Sequence, residues 1–188
     1  MREALIMPKV RIQNYPMVSP MPGALIGAIV NGKPNYVTVG AFGVVCQDPV
    51  FYISLKESHY TTGGVKENGW FSINVPGPDL VQKADYCGMV SGKTTDKSGL
   101  FTTFYDERGN APLIMECPLS FLCKVVQTMP FRGFEVFFAE IVATYLDERC
   151  LTDGKPDPVK INPLILMGTH YHDLGRVVGS VFKEANSL

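Results

Sequence analysis

Glycine and proline interrupt this chain every few residues: 18 glycines and 14 prolines stand among 188 residues. Neither is tolerated well inside a helix, so a bundle of long helices is excluded. The runs between them are short and rich in β-branched and aromatic residues. Gly23–Val30, Asn35–Phe42, Val50–Leu55, Trp70–Val75, Ser120–Thr128, Gly133–Leu146 and Val159–Met167 are seven such runs. In the second, Tyr36, Thr38 and Gly40 alternate with Val37, Val39 and Ala41, the period of two that marks a strand. Asn31-Gly32 lies between the first two runs and is a strong hairpin signal, and Pro76 closes the fourth. Seven strand candidates separated by turn signals predict a sandwich or a barrel.

Helical signals are few. Pro78–Cys87 opens with proline and places Leu80, Val81, Ala84 and Cys87 on one face, with Gly88 positioned to end it. A helical turn is expected at Gly64–Asn68 and another near Lys97–Tyr105, while His170–Val181 fits either class. The stretch from Pro76 to Pro118 reads as loop-rich, and long ordered loops in compact domains usually carry function. No internal repeat or linker-like shift divides the chain, so residues 1–188 are expected to form one domain.

Charge narrows the functional classes. Lys and Arg number 17 against 18 Asp and Glu. The first half holds 8 basic and 6 acidic residues, the second 9 and 12, so neither half offers the basic surface a nucleic-acid backbone needs. The longest apolar run, Ala24–Val30, has seven residues, far short of the ~20 of a membrane span. Ala4–Met7 is likewise too short for a signal peptide's core. These features predict a cytoplasmic protein without a membrane or nucleic-acid partner. Five cysteines at 46, 87, 117, 123 and 150 contain no C-x-x-C pair, which argues for reduced thiols.

Motifs of self-contained catalysis are missing. Gly88-Met-Val-Ser-Gly92-Lys93-Thr94 lacks the four-residue spacing of a phosphate-binding P-loop. His170-Tyr-His172 has no third ligand at familiar spacing, and no metal is expected. With three histidines and no G-x-S-x-G elbow, any enzymatic chemistry is expected from a bound cofactor. The densest polar cluster, Ser54–Gly64, combines hydroxyls, Lys56, His59 and the start of a possible helix. That set suits a phosphate dianion, and suits equally a polar hairpin loop. Asn35–Phe42, with small Gly40 and Ala41, admits a flat ligand close to the backbone, or is an ordinary buried strand.

Taken in order, these pieces resemble the flavin reductase-like family, the FMN-binding split-barrel group that includes flavoredoxins. The resemblance runs through Pro22–Ala28, Asn31–Phe42, Ser54-Leu-Lys56, His59-Tyr-Thr61 and Phe71–Pro76. It continues through Asp79-Leu-Val81, Asp85–Gly88, Ser91-Gly92, Asp96-Lys-Ser98, Glu116–Pro118 and Asp153–Asp157. It implies a mainly β fold, a six-stranded antiparallel Greek-key barrel with a few short helices, and a homodimer holding FMN in a cleft. Position by position, it implies that Asn35, Thr38, Gly40, Ala41 and Phe42 edge the flavin ring. Ser54, Leu55, Lys56, His59, Thr61 and Thr62 match the segment holding ribityl and phosphate, and Asn74 a strand residue near the flavin. Cys87, Gly88, Ser91 and Lys97 match the loop that closes over it, and Tyr171 an aromatic near the ring. No catalytic side chain is implied. The resemblance implies NADPH- or NADH-linked flavin reduction or flavoredoxin-type electron transfer to a redox protein partner. A ferric or other acceptor reductase and a non-catalytic FMN carrier are the alternatives.

Overall fold

The computed structural model describes residue 11 and residues 20–46 and 48–178. The chain runs β1 (Met21–Pro22), β2 (Ala24–Val30), β3 (Lys33–Val39), β4 (Phe42–Cys46), β5 (Val50–Lys56), α1 (Tyr60–Asn68) and β6 (Trp70–Val75). After a 3-10 turn come α2 (Val81–Met89), β7 (Thr103–Asp106), β8 (Gly109–Ile114), β9 (Leu119–Phe131) and β10 (Phe134–Leu146). The remainder holds β11 (Leu151–Thr152), β12 (Lys155–Pro156), α3 (Pro158–Ile161), β13 (Ile165–Met167) and β14 (His170–His172).

Seven strands form one antiparallel sheet in the order β3-β2-β6-β9-β10-β5-β4. Its two edge strands, β3 and β4, are joined by Gly40 and Ala41 alone. Three Cα steps reach at most about 11 Å, so the two edges must meet and the sheet curls into a barrel. This is the expected architecture with one strand more than the expected six. The extra strand arises because the Asn35–Phe42 run is not continuous: Gly40 and Ala41 are a corner, and Phe42 begins β4. A Cβ on Gly40 would lie 3.2 Å from Leu166, which favours a small residue at that corner. The Ala41 carbonyl accepts from Ser54 N at 2.9 Å.

The alternation seen in sequence sets the barrel interior. Ile26, Val37, Ile53, Leu55, Phe71, Ile73, Cys123 and Phe137 are buried together. Leu55 is fully buried here, and Phe42 packs against the same cluster. The hairpin expected at Asn31-Gly32 is formed, with φ of 49° and 73°, the left-handed pair that suits the twist of the flanking strands. Outside the barrel, α1 crosses β2 so closely that a Cβ on Gly64 would sit 2.3 Å from the Ile29 carbonyl. Helix α2 lies on β3, where the Thr38 hydroxyl donates to the Ala84 carbonyl.

Several expected elements differ. Val159–Met167 is not one strand: Asp157 caps α3 by accepting from Val159 N and Lys160 N, and β13 begins only at Ile165. No helix forms over Lys97–Tyr105, where turns lead into β7. Gly88 does not end α2, which runs on to Met89. The Pro76–Pro118 stretch carries α2 and the β7–β8 hairpin, so it is far from structureless. Among the described residues no helix is long and apolar enough to cross a membrane.

Candidate functional site

Helix α1 starts where β5 turns back on itself. His59 is its N-cap in extended conformation, and no side chain caps the helix end. Thr62 N bonds the His59 carbonyl, but the first turn contains no acidic residue. The helix therefore presents the positive end of its dipole and its first amides to whatever lies beyond. Beyond it lies a groove formed by two adjoining clefts. One, of about 240 Å³, is lined by Asn35, Ser58, His59, Tyr60, Thr61, Lys97 and the 87–92 segment. The other, of about 330 Å³, is lined by Asn31, Lys33, Pro34 and the Lys93–Asp96 loop. Asn35, Tyr60, Gly92 and Lys97 belong to both.

Hydrogen bonding explains how this groove is held. Asn35, on β3, is buried and donates to Thr61 Oγ1 at 2.7 Å. A hydroxyl that accepts still has a proton to place, so Thr61 keeps a donor at the cleft. Tyr60 OH is held by Asn31 Nδ2 at 2.8 Å. Gly92 fills the gap between these two tethered side chains, where a Cβ would lie 2.2 Å from Asn35 Oδ1 and 2.5 Å from the Tyr60 ring. His59 Nδ1 is buried with no hydrogen-bond partner. Burial, reinforced by the nearby charges of Lys56 and Lys97, pushes the His59 pKa down. The cleft beside it includes no carboxylate among its lining residues.

Lys97, nominated from sequence, takes an unexpected role. It is 3% exposed, and its ammonium donates to the carbonyls of Tyr36 at 2.5 Å, Val90 at 3.0 Å and Cys87 at 3.5 Å. It thus ties the end of α2 to β3, at the pole of a helix that favours a cation. Burial lowers its pKa. Its three donors are committed to carbonyls, so Lys97 builds the groove and leaves no free cation for a ligand. The Cys87 thiol is also buried and pushed up to about 11 by desolvation, which keeps it neutral.

The structure divides the residues nominated from sequence. Asn35, His59, Thr61, Cys87, Gly88, Ser91 and Lys97 line the groove. Thr62 does not: its hydroxyl donates to the Lys56 carbonyl at 2.7 Å. Gly63 and Gly64 lie inside α1 and offer no first-turn amides. Thr38 is spent on α2. Gly40, Ala41, Phe42, Ser54, Leu55 and Lys56 surround the β3–β4 corner and β5 and line neither cleft. Tyr171 lines a separate cleft and donates to Asp85 at 2.9 Å. His170 and His172 are exposed, with ring centroids 6.4 Å apart. The residues that sequence reasoning missed are Ser58, Tyr60, Gly92 and the Lys33–Asp96 pair at 2.7 Å on the outer rim.

Asn74 plays a structural part. Its amide donates to the Leu25 carbonyl at 3.0 Å and to Ser72 Oγ at 2.8 Å, and its Oδ1 accepts from Ile114 N at 2.9 Å. It is fully buried and fastens β8 to β6 and β2. Asn74→Ala is expected to lower the unfolding free energy by about 2–3 kcal/mol, since it strands buried backbone groups. Urea denaturation checks this, and a loss below about 0.5 kcal/mol would show that those groups find other partners.

A barrel with a groove at an uncapped helix end defines a class of small ligand-binding domain, and comparison specifies which. The flavin reductase like domain matches residues 18–175, and the chain belongs to that family. It is similar to the flavoredoxin of Methanosarcina acetivorans, at 42% identity and TM-score 0.92, over 96% of this chain and 99% of that one. It is also similar to the flavoredoxin of Desulfovibrio vulgaris, at 29% identity and TM-score 0.88, over 95% and 100% of the two chains. An uncharacterized protein of Archaeoglobus fulgidus is 30% identical over 69% of this chain and 75% of its own length.

Proposed function

We propose that this chain binds FMN in the groove between β3, the start of α1 and the 87–97 segment, and works as a flavin-dependent oxidoreductase. The observation that carries the reading is the uncapped, acid-free N-terminus of α1 beside the orphaned His59 Nδ1. A phosphate supplies the missing acceptor for the first-turn amides, and Thr61 has a proton to give it. Family membership supports the same ligand class. A bound flavin would supply two-electron chemistry between a donor such as NADPH or NADH and an acceptor. The chain's own work is to grip the phosphate, shape the slot and exclude water.

The flavoredoxin neighbours favour a second reading within the same site, an electron carrier for a protein partner. Anaerobic bleaching of the bound flavin by NADPH or NADH alone supports the reductase. Bleaching only with a reduced protein partner supports the carrier.

Fluorescence titration of the purified chain tests the phosphate grip. Two hydrogen bonds to a charged group contribute roughly 1.5–3 kcal/mol each, so FMN is expected to bind on the order of a hundredfold more tightly than riboflavin. Equal affinity for the two flavins would overturn the grip, and failure to bind either would overturn the function.

The reading includes a homodimer. On the outer face of the barrel, Met129 and Phe131 of β9 and Phe134 of β10 are 43%, 57% and 38% exposed. Register places half-buried Val136, Phe138 and Tyr52 on that same side, alongside Ser54 and Lys56. A contiguous apolar sheet face of this kind marks an association surface. Pairing there brings a second set of nominated residues, Ala41, Ser54 and Lys56, into an interface. Light scattering is expected to give twice the 20.7 kDa chain mass, and a Phe131→Asp/Phe134→Asp variant the single mass. A wild-type monomer at micromolar concentration would exclude the dimer.

A further inference from the structure

Away from the groove, a cavity of about 290 Å³ opens between the β7–β8 hairpin and the ends of β9 and β10. Its walls are apolar: Phe104, Ile114, Met115, Tyr145 and Leu146. Phe104 and Tyr145 meet edge-to-face, with centroids 5.1 Å apart. The Tyr145 hydroxyl donates to Asp106, which Arg108 grips through Nε at 2.9 Å and Nη2 at 2.7 Å. The aromatic wall is therefore fixed before any ligand arrives.

One polar group inside is unspent. Ser120 lies between Asn74 of β6 and Tyr145 of β10, is 1% exposed, lines the cavity, and its Oγ has no hydrogen-bond partner. A buried hydroxyl without a partner costs free energy, so its presence calls for an occupant that satisfies it. The other polar lining side chains carry no unpaired charge. Asp147 is engaged by Arg149 through Nε and Nη2, and burial pushes the Cys117 thiol up, keeping it neutral. A buried water needs two to four polar partners, more than Ser120 alone provides. The absence of any unpaired charge disfavours an ion. An apolar cavity of about 150 Å³ holds benzene, so this one has room for a substituted ring. Met115, 60% exposed at the rim, leaves a way in.

We propose that this cavity is a second binding site, which takes one uncharged six-membered ring bearing a single hydroxyl or carbonyl group that hydrogen-bonds to Ser120 Oγ. The site is distinct from the groove and shares no lining residue with it.

Titration of the 188-residue chain with 4-fluorophenol and with fluorobenzene, followed by ligand fluorine NMR, tests it. The hydroxyl adds one net hydrogen bond, so the phenol is expected to bind about five- to tenfold more tightly. Ser120→Ala is expected to erase that preference and leave the fluorobenzene dissociation constant within about twofold. It also leaves the fold at least as stable in urea, because an unsatisfied hydroxyl is removed. Leu146→Trp fills the cavity and is expected to abolish binding of both rings while FMN binding persists. Absence of binding by the wild type overturns the proposal. So does a phenol preference that survives Ser120→Ala, a clear loss of stability in that variant, or binding that survives Leu146→Trp.

Discussion

Replacing Lys97 by methionine is expected to lower the unfolding free energy by about 3 kcal/mol and to weaken flavin binding in step. Methionine keeps the length of the side chain and removes its donors. The carbonyls of Tyr36, Cys87 and Val90 then lose the ammonium that joins them, and a buried group left without its partner costs roughly 1–3 kcal/mol. Relief from burying a charge offsets part of this. The same substitution changes the pH profile. Burial lowers the native pKa of Lys97 below 10.5, so above that native value the unfolded chain holds the proton longer than the folded one. Wild-type stability therefore gains a rising contribution as pH climbs through the native pKa towards 10.5, and the methionine variant lacks it. Urea denaturation at pH 7 and in steps up to pH 10 checks both effects. A loss below about 1 kcal/mol at pH 7 would show that the 87–97 segment is not tied to β3 through Lys97.

The role of Lys97 was hidden from sequence for a physical reason. All three of its partners are backbone carbonyls, which carry no signature in the residue string. The same holds for Thr62, whose hydroxyl is spent on the Lys56 carbonyl. From composition, Ser54–Gly64 is a dense polar cluster that suits a phosphate dianion and equally a polar hairpin loop. Once α1 begins at Tyr60, Thr62 and Gly64 turn inward, and the cluster splits. What survives is the part that depends on backbone position: the helix end, His59 and Thr61. Strands were legible where the pattern of two and the punctuation agreed, as in Ala24–Val30 with Asn31-Gly32, and Trp70–Val75 with Pro76. They failed where an apolar run hid a cap. Asp157-Pro158 is a helix-start signal, and reading it before the hydrophobic run would have divided Val159–Met167 correctly. Barrel closure through a two-residue corner was beyond any local pattern, because it depends on β3 and β4 lying at opposite ends of the strand order.

Gly92 carries the largest expected effect on binding. Its φ is not in the left-handed region, so backbone conformation does not require glycine. Space does. A Cβ would lie 2.2 Å from Asn35 Oδ1 and 2.5 Å from Tyr60 Cδ1, and neither neighbour is free to yield. The Asn35 amide is anchored in a buried bond to Thr61, and the Tyr60 hydroxyl is held by Asn31. With valine at this position the 91–96 loop must lift, and both clefts lose the wall they share. Because Ser91, Lys93, Thr94 and Asp96 are exposed, lifting them uncovers little core. Gly92→Val is therefore expected to cost less than about 1 kcal/mol of stability while weakening FMN binding roughly a hundredfold, which corresponds to about 2.7 kcal/mol. Gly92→Ala, with the same Cβ and no branch, is expected to lie between. Lys97→Met alters stability and binding together, whereas Gly92→Val separates them. Parallel urea and FMN titrations read the contrast. An unchanged FMN dissociation constant in Gly92→Val would mean that this loop is not a wall of the flavin site and that the phosphate end of the groove lies on α1 alone.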